Sequence, residues 1–283
     1  MTMYLRRRAS FSAGFQQPPP GETGRGHDYL VEMTVGGVVD ANTGMVINIR
    51  DVDAVLKGQV IRPLQGCLLD ADIPQFRDTL PTPENLVLFL WDRCREALPA
   101  EGRLARMTLW PTAALKAELS QIPIPLKSLE VDPPMLTVTR TYDFSASHRL
   151  HSAALSDSEN AEIFGKCNWE NGHGHNYEVE VTLAGVPDPA TGRLWDAACL
   201  DQAVKEQVLD PYDHKHLNYD TADFCTLNPT SENLTQVIWA NLSRRLSRED
   251  LGKARLYRVA VRETARNYFE YYGEDAETTE EAL

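Results

Sequence analysis

Four residues of this chain have types and spacing suited to chemistry: His148, Cys167, His173 and His175. They lie in Phe144-Ser145-Ala146-Ser147-His148 and in Cys167-Asn168-Trp169-Glu170-Asn171-Gly172-His173-Gly174-His175-Asn176-Tyr177. Three histidines suit a zinc site that keeps one coordination position open, the arrangement of catalytic rather than closed structural sites. A His-x-His pair on a strand turns both rings to one face, because side chains repeat every two residues. The alternation runs on through Tyr177, Val179, Val181 and Leu183, so the pair opens a strand. A thiol just before such a pair is a candidate base or nucleophile, and a metal with its neighbours can lower its pKa.

Other elements must hold these groups in place. The pattern predicts strands from Leu136 to Phe144 and from Asn176 to Ala184, then a helix from about Leu200 to Leu209. A loop carrying Asp213-His214-Lys215-His216 follows. Thr230 is a good N-cap for a second helix bearing Leu234, Val237, Ile238, Leu242 and Leu246 at helical spacing. A last strand, Leu256 to Val261, precedes Arg262-Glu263-Thr264.

The same order occurs twice. Val31-Glu32-Met33-Thr34-Val35 matches Val179-Glu180-Val181-Thr182-Leu183, Asp40-Ala41-Asn42-Thr43-Gly44 matches Asp188-Pro189-Ala190-Thr191-Gly192, and Pro81-Thr82-Pro83-Glu84-Asn85 matches Pro229-Thr230-Ser231-Glu232-Asn233. All three pairs share one offset of 148 residues (179 − 31, 188 − 40, 229 − 81), which implies two homologous domains. The expected organisation is a first domain over 1–118, a Pro-rich linker over 119–135, a second domain over 136–272 and an acidic tail over 273–283. The first copy has lost the chemistry. Phe15 stands for His148, Arg25 for His173, Gln65 and Gly66 for Asp213 and His214, and Pro111 for Glu263; only His27 keeps the place of His175. The segment around Cys167 has no counterpart. The first half reads as a scaffold that has kept its fold and lost its site.

The chain has 283 residues, 42% of them hydrophobic, enough for two packed domains. A formal charge of −13 at pH 7 argues against nucleic acid and anionic membranes as partners, since both need a basic surface. Five cysteines without a spacing framework, and a start (Met1 to Ser10) lacking an apolar signal core, make a reducing cytoplasm the expectation. No stretch approaches a membrane-spanning length.

The second half resembles the 6-pyruvoyltetrahydropterin synthase and 6-carboxytetrahydropterin synthase family. The carrying motifs are Phe-Ser-Ala-Ser-His, Cys-x5-His-Gly-His-Asn-Tyr, Asp-His-Lys-x-Leu-Asn, Pro-Thr-Ser-Glu-Asn and the late Glu-Thr, in that order. The resemblance implies an α+β fold of two tandem T-fold domains. Each is an antiparallel four-stranded sheet with two helices on one face, and such units assemble into barrels. It implies a small-molecule substrate, 7,8-dihydroneopterin triphosphate, and a homo-oligomer in which three two-domain chains would supply six units. It implies Zn2+ held by His148, His173 and His175, Cys167 as general base, Asp213 and His214 as a partnered acid/base, and Glu263 as a clamp on the pterin ring. Thr230 and Glu232 are placed near the ring, although helix capping explains them almost as well. Glu170 makes Glu-x-x-His-Gly-His within the Cys motif and is either an exposed turn residue or a second base. Carrying both Cys167 and Glu170, the chain resembles a subgroup that cleaves the substrate side chain, which tilts the expected product towards 6-carboxy-5,6,7,8-tetrahydropterin. The 6-pyruvoyl product and cleavage to 6-hydroxymethyl-dihydropterin stay open, as do a zinc-retaining pterin-binding or structural protein and a zinc hydrolase of another substrate. Arg149, Lys166 and Lys215 could meet a triphosphate, though solvated surface charge is their default.

Overall fold

Strands with one apolar and one polar face need helices to cover the apolar side, and both copies are built that way. The computed structural model describes residues 2–19, 25–122, 133–249 and 251–273. Most of the Pro-rich linker (123–132) and the acidic tail (274–283) lie outside the described residues. The chain divides into two compact units: Met1–Thr139 with Ala184–Trp195 and Gly252–Arg255, and Arg140–Leu183 with Asp196–Leu251 and Leu256–Leu283. The turn after residue 183 thus clusters with the first unit.

In the first unit, β1 (Thr2–Gly14) pairs antiparallel with β2 (Gly26–Val38) from Thr2↔Val38 to Gly14↔Gly26. Helix α1 (Ile49–Val55) follows and runs through a π turn, Leu56–Ile61, into Arg62–Leu64. Helix α2 (Pro83–Ala97) starts at Thr82, whose Oγ1 accepts the Asn85 N–H at 3.3 Å, with Pro83 in the first turn where no N–H is missed. Strands β3 (Arg103–Thr112) and β4 (Leu115–Ser120) complete the antiparallel order β1-β2-β3-β4. Val31, Met33 and Val35 from β2 pack with Leu86, Val87, Leu90, Trp91 and Cys94 from α2 in one apolar core, which Leu136, Val138 and Leu194 also enter.

In the second unit, β5 (Met135–His148, from Arg140 on), α3 (Asp157–Phe164), β6 (His173–Ala184), α4 (Ala197–Val204), β7 (Lys215–His216), α5 (Ser231–Leu246), β8 (Arg255–Thr264) and β9 (Asn267–Tyr271) follow one another. The sheet order is β5-β6-β8-β9. Val179, Val181 and Leu183 are buried with Leu200, Val204, Leu234, Ile238 and Leu242 from the two main helices. Each unit has the expected T-fold: an antiparallel four-stranded sheet carrying two main helices. The Asp213–His216 segment, expected to be a loop, contains β7, which pairs in parallel with β5 at Ala146 and Ser147.

The 148-residue offset recurs in structural detail. Asn48 and Asp196 cap equivalent helices, and Lys205–Leu209 is a π turn like Leu56–Ile61. Phe11 stacks on Tyr29 (4.9 Å, 15°) as Phe144 stacks on Tyr177 (5.0 Å, 17°). The packing frame survives in the half that lost its polar residues.

Candidate active site

The strand period sets the site. On β5, Phe144, Ala146 and His148 share the buried face; on β6, His173, His175 and Tyr177 share theirs. His148 Nε2 lies 3.3 Å from His173 Nε2, and one ligand atom from each of His148, His173 and His175 falls within 4.8 Å of the others. Two nitrogens bound to one tetrahedral ion at about 2.0–2.1 Å sit about 3.3 Å apart, so the spacing suits a cation. His148 Nδ1 is 2.8 Å from the Pro229 carbonyl oxygen. A donated proton there leaves the Nε2 lone pair facing the other rings, the arrangement metal-binding histidines use. Burial lowers the His148 pKa to about 4 and lowers that of His175 too, so both rings are neutral donors near pH 7. The His175 Nε2 atom is buried without a hydrogen-bond partner, a cost that a bound cation would remove.

Glu263 closes the cluster. Its Oε1 lies 3.8 Å from the Nε2 atoms of both His148 and His175. Ser231 Oγ donates to Oε1 and Asn267 Nδ2 to Oε2, each at 2.9 Å. Burial opposes ionisation of Glu263, but these two hydrogen bonds and the imidazoles outweigh it and leave its carboxyl below the usual range. Each oxygen keeps a further lone pair, so the carboxylate can still accept two parallel N–H bonds from a planar ligand.

Cys167 sits in the 3-10 turn Gly165–Asn168, which the Cys167 carbonyl ties to Leu150 N at 2.8 Å. It is close enough to feel Glu263: burial first, then that carboxylate, raise its thiol pKa. A cation held by the nearby histidines would act in the opposite direction and lower it. The buried Tyr177 hydroxyl has no hydrogen-bond partner, and burial, Glu263 and Cys167 push its pKa up.

Asp213 and His214 form a pair, with Nδ1 2.9 Å from Oδ2. Asp213 Oδ1 also accepts Ser145 N–H at 2.9 Å, and these bonds, the backbone one foremost, lower its pKa. The His214 side chain is 83% exposed, and among the described residues no hydrogen bond or ion pair joins either residue to Cys167. His214 and His175 both line an open cleft of about 550 Å³ with Ser145, Ser147, Asn176 and Lys215.

Glu170 is an exposed turn residue. Thr230 caps α5 through Asn233 N at 3.3 Å, and Glu232 is exposed on the first turn. The position beside Glu263 belongs instead to Ser231, which sequence reasoning passed over along with Asn267, Tyr177 and the Pro229 carbonyl. The available signal for Ser231 was its place between two candidates within one motif.

His214 is the single non-glycine residue with positive φ among the described residues (57°), and its counterpart Gly66 has φ 75°. The two positions make the same contacts. His214 N donates to Ser145 O and Gly66 N to Ser12 O, both at 2.6 Å. Gln65 Oε1 accepts Ser12 N at 3.3 Å where Asp213 accepts Ser145 N. A left-handed residue with a Cβ costs roughly 1–2 kcal/mol, a strain present at His214 and relieved by the glycine at position 66. Gly66→Ala should accordingly destabilise the chain by about 1 kcal/mol, although a Cβ there meets nothing within 4 Å. His214→Gly should stabilise it by up to about 1 kcal/mol. Urea midpoints of the two variants test both signs.

A family model described as 6-pyruvoyl tetrahydropterin synthase matches residues 4–121 and again residues 137–274. A human 6-pyruvoyl tetrahydrobiopterin synthase is 47% identical over 137 residues, covering 48% of this chain and 91% of that protein. A 6-carboxy-5,6,7,8-tetrahydropterin synthase of Aquifex aeolicus is 25% identical over 118 residues, covering 34% of this chain and 73% of that protein. The solved 6-pyruvoyl tetrahydropterin synthase of Caenorhabditis elegans is 44% identical, covers 50% of this chain and 96% of its own, and superposes with a TM-score of 0.46. With both halves matched, the chain belongs to the 6-pyruvoyl tetrahydropterin synthase family, in tandem form.

Proposed function

We propose that the second half is a zinc-dependent pterin synthase that converts 7,8-dihydroneopterin triphosphate to 6-pyruvoyltetrahydropterin with loss of triphosphate. The carrying observation is the convergence of His148, His173 and His175 within 4.8 Å, beside Glu263 and within electrostatic reach of Cys167. His148, His173 and His175 hold the zinc. When bound, zinc supplies a Lewis acid that makes a proton next to a side-chain hydroxyl easier to remove and stabilises the thiolate. Cys167 takes that proton as general base. Asp213 orients His214 through its Nδ1, so that the imidazole can return or accept a proton. Glu263, steadied by Ser231 and Asn267, accepts N–H bonds from the amino-pyrimidinone edge of the pterin and fixes its distance from the thiol.

Two observations favour the pyruvoyl product over the carboxy product towards which the sequence alone tilts. The Cys-x5-His-Gly-His spacing taken alone resembles that of pyruvoyl-forming enzymes, and relatives of that name are 40–47% identical, against 25% for the carboxy-forming one. The second reading, 6-carboxy-5,6,7,8-tetrahydropterin with release of the side-chain fragment, rests on Glu170, three residues before His173. Incubation with the triphosphate and mass analysis separates the outcomes. The expected result is the pyruvoyl product from wild type and from Glu170→Ala. A carboxy or 6-hydroxymethyl product that disappears in Glu170→Ala would reverse the assignment, and a chain that retains zinc without turnover would reduce it to a binding protein.

A further inference from the structure

The turn after β6 is docked. Thr82 Oγ1 donates to the Gly192 carbonyl at 2.6 Å, and Leu194 N donates to Glu84 Oε1 at 3.1 Å. All four residues belong to the first compact unit. The contact buries Thr82, leaves Glu84 3% and Leu194 3% exposed, and favours a glycine, because φ at Gly192 is 67° and a Cβ there would crowd Asn85 Nδ2.

Both sides of that contact exist a second time, and among the described residues no partner is seated on them. The turn after β2 has the same backbone. Gly44 has φ 69° against 67° for Gly192. Gly44 N donates to Asp40 O at 2.8 Å and Asp40 N to Met45 O at 2.9 Å, as Gly192 N does to Asp188 O at 2.7 Å and Asp188 N to Arg193 O at 2.8 Å. Yet a Cβ on Gly44 meets nothing within 4 Å, and the turn leaves Val38 68% and Ile49 49% exposed beside Met45. Val38 and Met45 edge an open groove of about 1030 Å³. On the other side, Thr230 and Glu232 begin α5 with the same N-cap geometry as Thr82 and Glu84, but Thr230 is only half-buried and Glu232 is exposed.

We propose that the Asp40–Ile47 turn of one chain docks on the start of α5 in a second copy of this chain, with Thr230 donating to the Gly44 carbonyl and Glu232 accepting Val46 N–H. The occupant is a second copy because the docked turn Gly192–Leu194 and its seat Thr82–Glu84 are this surface and its complement, already joined once. The contact is heterologous, since a turn on one unit meets a helix end on the other, and contacts of this kind close into a ring where the rotation between copies closes. It also places a partner segment against Ser231, which holds Glu263, so each site gains a wall from the neighbouring chain.

The test uses the full-length chain with Met45 replaced by a benzophenone amino acid, irradiated and resolved on a denaturing gel. The expected result is a species of twice the chain mass whose adduct joins the peptide around residue 45 to the peptide containing Thr230 and Glu232. Adding Glu232→Lys should lower its yield about tenfold, as expected for loss of a charge-assisted hydrogen bond at an interface. Adducts at single-chain mass, adducts to other peptides, no adduct, or a yield unmoved by Glu232→Lys would overturn the proposal. The readout is covalent capture, so it stands apart from turnover and from the identity of the product.

Discussion

Alanine in place of His175 is expected to leave the chain folded and unable to retain zinc, with pterin synthase activity lower by about a thousandfold. The magnitude follows from removing one of three ligands from an ion whose polarising effect is worth several kcal/mol. Folding should survive, because the side chain is half-buried and its Nε2 is a buried atom without a partner. Its loss therefore removes a desolvation cost along with some contact area. Metal analysis of purified protein and far-UV circular dichroism read the two halves of the expectation. One zinc per chain retained after dialysis in His175→Ala would sink the three-histidine site.

Cys167→Ala is expected to give the complementary pattern: zinc retained, pterin bound, and turnover lowered by about 10²–10⁴-fold, the range for losing a positioned general base. The thiol lies in a short 3-10 turn outside the sheet core, so the variant should fold. Because burial and Glu263 both raise its pKa, metal-free protein should show a sluggish thiol towards alkylating reagents and zinc-loaded protein a faster one. A Cys167→Ala chain with near wild-type kcat would transfer the base role elsewhere, with Glu170 as the first residue to examine.

Spacing carried most of the fold into view. The 148-residue offset located two domains, and the alternation from His173 to Leu183 placed both histidines on one face of a strand that begins at His173. The cap at Thr230 was legible because hydroxyl caps have a residue preference. What escaped lacks such a signature. The Pro229 carbonyl that orients His148 is a backbone atom that any residue offers. Asn267 reaches Glu263 only because β8 turns directly into β9, and short turns leave a weak trace in one sequence. The exposure of Glu232 and burial of Ser231 next to it depend on where the first turn of α5 faces, and a single residue of phase reverses that. The left-handed backbone at His214 was readable in principle, since a glycine holds the same place in the other copy.

The paired π turns carry a developmental constraint. Each inserts one residue into a helix at the same point, Leu56–Ile61 in one copy and Lys205–Leu209 in the other. Shortening Lys205–Leu209 by one residue would swing all that follows by about 100° around the helix axis. Asp213 would then leave Ser145, and His214 with it. The same deletion in the other copy would take Gln65 and Gly66 from Ser12 and turn the fully buried Leu64 out of its core. Length at this point is thus fixed by packing in both copies, and in the second by the Asp213 contact as well.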